Sequence, residues 1–301
     1  MNEHDISFRS GDETLVGTLT QPDGAGPFPG CLLLNGSGPL DRDSNVPGQR
    51  LDIARSFAAA LAEVGIATLR YDKRGVGASS GEYLTTSFDE ELADACAALD
   101  ALRDGDVTNG RVAVIGHSVG ATVAVRLVDH HRPPDAYALL AGAAQNGERV
   151  MAWQTQRIAR TRRMPFAWLR SRVERRQAAD RELLLASTSP TAVIRGQTLP
   201  AQWFREYMAY DPADDLGRID QPVLAVTGGK DVQVDVHDVA RIEQLVVGPF
   251  DGDTPTDLTH LLRSDAGPPG LRSYGEQMQR PPDPALIERV ATWVAAQLSR
   301  A

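Results

Sequence analysis

The sequence predicts an α/β protein with a mostly parallel, doubly wound sheet. Short apolar runs, of the kind that parallel sheets bury on both faces, alternate with helical patterns along most of the chain. With 301 residues, the chain is long enough for one large α/β domain with an insertion, or for two ordinary domains. Because parallel strands need crossover connections, this alternation places helices on both sides of the sheet.

Each element is predicted from a local pattern. Apolar runs predict strands at 14–20, 31–34, 66–71, 112–115, 137–140 and 222–227. Helical patterns predict helices at 51–64, 87–102, 121–128 and 235–246, and a last helix that opens at 283–284. Ser87 and Glu90 form a capping-box pattern at the second helix. The last helix turns an apolar face that includes Leu286, Val290 and Leu298 toward the sheet.

Residues 116–120 read GHSVG and join the strand at 112–115 to a helix. A G-x-S-x-G segment between a strand and a helix presents its serine at a sharp, strained turn. Gly116 and Gly120 are small enough to let the chain fold back on itself there. The pattern predicts Ser118 as a nucleophile, and the alternative is a glycine turn with a purely structural role.

A nucleophilic serine needs an oxyanion hole, and the strand at 31–34 opens into a suitable loop, NGSGP at 35–39. Its glycines let a backbone amide point at the reacting carbonyl group. We predict the N–H groups of Ser37 and Val119 as the two donors. Gly36 in place of Ser37, or a plain glycine turn, stays open as an alternative.

The orienting acid is expected at the end of a later strand. Asp231 lies in the turn GGKD that follows the strand at 222–227, from where a carboxylate can hold an imidazole in one tautomer. Asp235 and Asp238 compete for the role, but both fall within or beside the next predicted helix. The chain order Ser, Asp, His favours Asp231.

His260 is predicted as the base by elimination among six histidines. It alone is late in the chain, in a loop and after the acid. The other histidines are predicted in a polar N-terminal tail (His4), in the turn at 116–120, called the elbow below, pointing away from the nucleophile (His117), at the solvated end of a helix (His130 and His131), and at a helix start (His237).

With these residues in view, the chain resembles the α/β-hydrolases, and among them the bacterial carboxylesterases that carry an inserted helical cap. The resemblance rests on GHSVG and on four further segments: NGSGPLDRD at 35–43, LRYDKRGVGAS at 69–79, GGKDVQV at 228–234 and LTHLL at 258–262. Asn35 stands where many members of that group have histidine. The resemblance implies a hydrolase core at 1–142 and 216–301 and a helical cap at 143–215.

The predicted cap is rich in arginine and in large apolar residues. The arginines of its first half are Arg149, Arg157, Arg160, Arg162, Arg163, Arg170, Arg172, Arg175, Arg176 and Arg181, and the apolar residues include Met151, Trp153, Met164, Phe166, Trp168, Leu169, Trp203, Phe204 and Tyr207. We expect the apolar side to cover the mouth of the active site, and the arginines to face water or acids of the core. An arginine that guides an anionic substrate is an alternative.

Other function classes find little support in the sequence. The formal net charge of −9, without a nucleic-acid-binding motif, argues against a nucleic-acid partner. No dinucleotide fingerprint, Walker loop or metal-ligand spacing is present, so no cofactor or metal is predicted. The cysteines, Cys31 and Cys96, are expected to be reduced. With a polar N-terminus and no membrane-length apolar run, we expect a cytoplasmic monomer or homodimer with no membrane contact.

The predicted function is hydrolysis of small to medium carboxylic esters through an acyl-enzyme. His260, oriented by Asp231, takes the proton of Ser118, while the N–H groups of Ser37 and Val119 hold the oxyanion. The same machinery can cleave thioesters, lactones, amides or peptides, or transfer the acyl group to another acceptor. Two non-enzymatic alternatives stay open. The chain could be a non-catalytic, ligand-binding member of the fold, or its basic cap could bind a partner.

Overall fold

A computed structural model describes residues 1–161 and 167–299. Its described strands form an eight-stranded sheet in the order β1-β2-β4-β3-β5-β6-β9-β10 and a separate β7-β8 hairpin. The pairs β1-β2 and β2-β4 are antiparallel, and the other pairs of the large sheet are parallel. The predicted fold class, with its mostly parallel sheet, is therefore confirmed.

The elements have the following bounds. The strands are β1 (Asn2–Ser10), β2 (Glu13–Gln21), β3 (Phe28–Leu34), β4 (Ala67–Tyr71), β5 (Thr108–His117), β6 (Ala136–Leu140), β7 (Ala192–Ile194), β8 (Gln197–Leu199), β9 (Val223–Val226) and β10 (Phe250–Asp253). The helices are α1 (Ile53–Glu63), α2 (Phe88–Arg103), α3 (Val119–Arg126), α4 (Gly147–Thr161), α5 (Ala167–Ala186), α6 (Ala201–Ala209), α7 (Ala213–Leu216), α8 (Asp238–Leu245), α9 (Tyr274–Gln277) and α10 (Pro284–Leu298).

The central strands of the sheet are buried on both faces, and their successive residues alternate between two apolar layers. In β5, Val112 and Val114 pack with α2, α3 and α8, whereas Ala113 and Ile115 pack with α1 and α10 on the opposite face. Since side chains point alternately to the two sides of a strand, a strand buried on both sides must be apolar at every position. Burial on both sides therefore explains the continuous apolar runs in the sequence.

Several boundaries differ from the sequence-based expectations, among them those of β1, β10 and α8. His4 lies in β1, which pairs with β2 along its whole length, and not in a tail. The segment Phe250–Asp253, where no strand was predicted, forms β10 at the edge of the sheet beside β9. Helix α8 begins at Asp238 rather than at 235, because the Asp235 carboxylate accepts the backbone N–H of His237 and so stabilises a turn there.

Between β6 and β9 the chain forms α4 to α7 and the β7-β8 hairpin, in the segment predicted as a cap. Its own small apolar cluster contains Leu184, Ile194, Ala201 and Met208. The predicted cap residues Arg162, Arg163, Met164 and Phe166, and the side chains of Leu169 and Arg170, lie outside the described residues. Trp168, expected over the mouth of the active site, is instead 59% exposed. The boundary at 143–215 stays a prediction.

None of the helices in the described ranges is both long and apolar enough to cross a membrane.

Candidate active site

Ser118 lies at the tight turn between β5 and α3, where the backbone is strained. Its φ of 56° and ψ of −123° place a residue with a side chain in a region that such residues rarely adopt. The turn is fixed because the Ser118 N–H donates to the Leu140 carbonyl at 2.8 Å. A Cβ at Gly116 would overlap the Gly120 carbonyl, and a Cβ at Gly120 would overlap that of Leu34. The small residues of the motif are thus a steric requirement.

Asp231 and His260 form a buried pair. Asp231 Oδ2 lies 2.8 Å from His260 Nδ1, and the two residues are 3% and 5% exposed. The other carboxylate oxygen of Asp231 accepts the backbone N–H groups of Gln233 at 2.7 Å and Val234 at 2.9 Å. A carboxylate held in this way accepts a hydrogen bond from Nδ1–H of the imidazole. The other nitrogen, Nε2, is then unprotonated and free to act as a base.

The competing carboxylates have other partners. Asp235 bonds the ring of His237 at 2.8 Å and the guanidinium of Arg241 at 3.3 Å. Asp238 accepts from Arg241 at 2.6 Å. The His237 side chain is 77% exposed. Neither acid bonds His260 in the described structure, which agrees with the preference for Asp231 over both of them.

His117, predicted to point away from the nucleophile, contacts the loop that carries the base. Its Nε2 lies 2.9 Å from the main-chain carbonyl oxygen of His260, and the two rings are 5.1 Å apart. Because a carbonyl oxygen can only accept, Nε2 of His117 carries the hydrogen. Desolvation lowers the pKa of His117 to about 3, with a further contribution from His260. The link thus joins the elbow to the His260 loop through a neutral imidazole.

The loop at 35–39 approaches the nucleophile closely. A Cβ added to Gly36 would lie 3.3 Å from the Cβ of Ser118. In the described part of the chain, the backbone N–H groups of Ser37 and Val119 have no hydrogen-bond partner. The first lies in this loop and the second at the start of α3. Two free donors on either side of a serine are what an oxyanion requires.

Side chains behind this loop hold it in place. Asn35, the residue that departs from the histidine of many relatives, donates to the Asp41 carbonyl at 2.7 Å and accepts from Ser44 at 2.6 Å. Asp72 bonds Arg42 in a fork, with distances of 3.1 and 2.8 Å. Burial alone would raise the pKa of Asp72, but the hydrogen bonds from Arg42 and from the Ala78 N–H lower it. The resulting charged pair fixes the C-terminal end of the loop.

Ser118 opens into a cavity of about 410 Å³ between the core and α4 and α6. Ser37 lines it on the core side, and apolar side chains line it on the other side. These are Val150, Met151, Trp203, Phe204 and Tyr207. All of the described lining residues are uncharged. The cavity falls within the range of about 300–1,000 Å³ that is typical of small-molecule sites.

The Ser118 hydroxyl makes no hydrogen bond within the described residues, so its contact with His260 is not closed in this conformation. Such contacts are often long before substrate binds and tighten in the complex. The structure therefore brings Ser118, the Asp231–His260 pair and the loop at 35–39 together, but without a hydrogen bond between Ser118 and His260.

Helix α6 is attached to the core at the start of α2. One carboxylate oxygen of Glu206 accepts the backbone N–H groups of Phe88 at 2.8 Å and Asp89 at 3.1 Å. The Phe88 ring packs edge-on against Trp203 and Tyr207. The predicted capping box of Ser87 and Glu90 is also present. A carboxylate at a helix N-terminus satisfies free N–H groups and the helix dipole together.

Two other predictions can be compared with the structure. The ring of His130, expected to be solvated, is only 6% exposed and lies 3.2 Å from Asp100. Among the described residues, Asp100, His130 and His131 bring three possible metal ligands together, which sequence spacing did not indicate. Arg132 already donates to Asp100 at 2.8 Å, so we assign no ion there.

The two cysteines form no disulfide. Cys31 lies in β3, where burial raises the pKa of its thiol, and Cys96 lies in α2.

Comparison with known proteins gives consistent matches. A family model described as serine aminopeptidase, S33, matches residues 50–246. The curated esterase EstD from Thermotoga maritima is 30% identical over 299 residues, which cover 96% of this chain and 68% of that protein. The solved structure of Est1E from Butyrivibrio proteoclasticus with ferulic acid has a TM-score of 0.65 at 19% identity, covering 98% of this chain and 100% of that one. The Pyrococcus furiosus esterase Pf2001 has a TM-score of 0.62 at 18% identity, covering 99% and 91%.

Proposed function

The chain belongs to the serine aminopeptidase S33 family of α/β-hydrolases, and we propose that it hydrolyses carboxylic esters of small to medium size through an acyl-enzyme on Ser118. The observation that carries the proposal is the buried Asp231–His260 pair beside a strained elbow serine. The esterase relatives support an ester as the substrate.

The proposed mechanism assigns one role to each group. Nε2 of His260 takes the proton of Ser118 as the hydroxyl attacks the ester carbonyl carbon. The N–H groups of Ser37 and Val119 stabilise the oxyanion of the tetrahedral intermediate. His260 then protonates the leaving alcohol, and a water molecule activated by the same imidazole releases the acyl group.

The cavity favours an ester over the substrate that the family description suggests. An aminopeptidase substrate carries an ammonium group, and a site that binds it in a desolvated cavity needs an acidic partner. The described residues that line the cavity at Ser118 include no acid. Met151, Trp203 and Phe204 suit an uncharged acyl group.

The test is hydrolysis of p-nitrophenyl esters from acetate to laurate by the wild type, Ser118→Ala and Ser299→Ala. Ser299 bonds the Ala295 carbonyl at the end of α10 and lines no part of the cavity, so it is a matched control. We expect turnover to peak at one acyl length, to fall by about 10⁴-fold or more in Ser118→Ala and to be unchanged in Ser299→Ala.

Turnover that survives in Ser118→Ala would refute the assigned nucleophile. A folded wild type that leaves every ester intact but cleaves an aminoacyl p-nitroanilide or an acyl thioester would refute ester hydrolysis and identify the alternative. Labelling of Ser118 by a fluorophosphonate separates the second of these cases from a non-catalytic protein.

A further inference from the structure

A second cavity, of about 250 Å³, lies between α4 and the segment that follows β9. Arg157 and Arg160 line it from α4, and Asp235 and His237 line it from the opposite wall. We call it the arginine groove. It is charged, whereas the cavity at Ser118 is not. Asp231 also lines it, but the proposed mechanism uses neither Arg157 nor Arg160.

The guanidinium groups of the groove have no bonded partner among the described residues. Neither Arg157 nor Arg160 forms an ion pair or a side-chain hydrogen bond within the described residues, and Nε of Arg157 is fully buried without a partner. By contrast, Arg195 in the same region bonds Asp180 at 2.9 Å. Arg160 is exposed, but Nε of Arg157 is buried, and a buried donor of a charged group that has no acceptor is costly.

The acids on the opposite wall are already engaged. Asp235 bonds the ring of His237 at 2.8 Å and Arg241 at 3.3 Å. The Asp231 carboxylate is used by His260 and by two backbone N–H groups. The two arginines, one helical turn apart on α4, therefore face a wall whose negative charge is compensated.

We propose that the arginine groove binds a small anion, a carboxylate or a phosphate, between the guanidinium groups of Arg157 and Arg160. Planar guanidinium groups bind such anions through paired, charge-assisted hydrogen bonds. The proposal concerns a site apart from the acyl cavity and does not depend on the proposed function.

The groove adjoins the cavity at Ser118. Gln154 and Gln233 both line that cavity, and Gln154 donates to Gln233 at 3.2 Å. Trp153, next to Gln154, and Asp235, two residues after Gln233, line the groove. The anion can therefore have two sources. It is either free in solution, or it is a carboxylate on a substrate that extends past the glutamine pair, and only this second source rests on the proposed function.

Titration calorimetry with inorganic phosphate at low ionic strength tests the free anion. The proteins are the wild type, the double variant Arg157→Gln/Arg160→Gln, and Arg149→Gln as a control on the same helix that lines neither cavity. We expect the wild type and the control to bind phosphate with equal affinity. The affinity of the double variant should be lower by about tenfold or more.

Kinetics with p-nitrophenyl hemisuccinate and p-nitrophenyl butyrate test the substrate-borne carboxylate. The ratio of kcat/KM for the anionic ester to that for the neutral one is expected to fall about tenfold in the double variant and to be unchanged in Arg149→Gln. Phosphate binding that is absent from the wild type or equal in the double variant, together with an unchanged ratio, overturns the proposal. If the wild type hydrolyses neither ester, the proposed function fails, and the phosphate titration still decides on the groove.

Discussion

The core and the segment above it differ in how tightly their groups are held. In the core, the side chains of Asp231 and His260 are 0% and 6% exposed, and both make hydrogen bonds that fix their orientation. In α5, by contrast, Trp168 and Leu183 are each 59% exposed. We therefore expect the core to set the geometry of the proposed reaction, and α4 and α6, which line the cavity at Ser118, to determine which acyl group fits there.

The largest effect is expected from Asp231→Asn in the core. The amide offers a donor where the imidazole needs an acceptor, so His260 is held in the wrong tautomer, and kcat should fall by about 10⁴-fold with the fold intact. Ester hydrolysis by this variant and by Asp235→Asn measures it. Near-normal activity in Asp231→Asn, with a large loss in Asp235→Asn, would reverse the assignment of the acid.

A smaller effect is expected from His117 in the core: it should make the free energy of unfolding depend on pH. Its folded-state pKa of about 3 lies below the ordinary 6.5, so the unfolded chain takes up a proton first as the pH falls. The stability that neutral His117 contributes is therefore complete above about pH 6.5 and is lost progressively toward pH 3. Between about pH 7.5 and pH 5, the loss amounts to at most about 2 kcal/mol.

Urea unfolding of the wild type and His117→Gln at these two pH values measures this effect. Glutamine keeps an N–H donor but does not titrate. The free energy of unfolding of the wild type should fall, relative to that of the variant, as the pH is lowered. A difference between the two proteins that is the same at both pH values would contradict the prediction.

The smallest effect is expected from Trp203→Ala in α6. Removal of the indole enlarges the cavity at Ser118, so the preferred p-nitrophenyl ester should shift to a longer acyl chain, with less than about a tenfold change in kcat/KM for the best ester. Trp168→Ala, a substitution at an exposed residue, is the control and should keep the original profile. An unchanged profile in Trp203→Ala would mean that α6 does not select the acyl group.

The sequence predicted β3, β5, β6 and β9 well because each contains a continuous apolar run, the pattern of a strand that is buried on both faces. The capping box of Ser87 and Glu90 was also predictable, since both partners are local. The α/β-hydrolase fold and the class of serine hydrolase are confirmed. The roles of Ser118, Asp231, His260, Ser37 and Val119 stay predictions, although the structure brings these residues together.

What the sequence did not predict depends on contacts between distant segments. The first strand exposes most of its residues and is ordered by pairing with β2. The strand Phe250–Asp253 contains glycine and two aspartates, a composition that disfavours strands, and it is held by β9. The bond from His117 to His260 joins residues 143 positions apart. None of these contacts leaves a local pattern.

The attachment of Glu206 to the start of α2 has a consequence for how such a protein can diversify. Because α6 is bonded to a core helix, Trp203 and Tyr207 belong mechanically to the core, even though the chain reaches them through α4 and α5. Replacements at exposed positions of α5, such as Leu183, can then accumulate without disturbing the wall that we propose selects the acyl chain, whereas Leu184 packs against α6. Acyl preference and the outer surface of the molecule are thereby free to evolve independently.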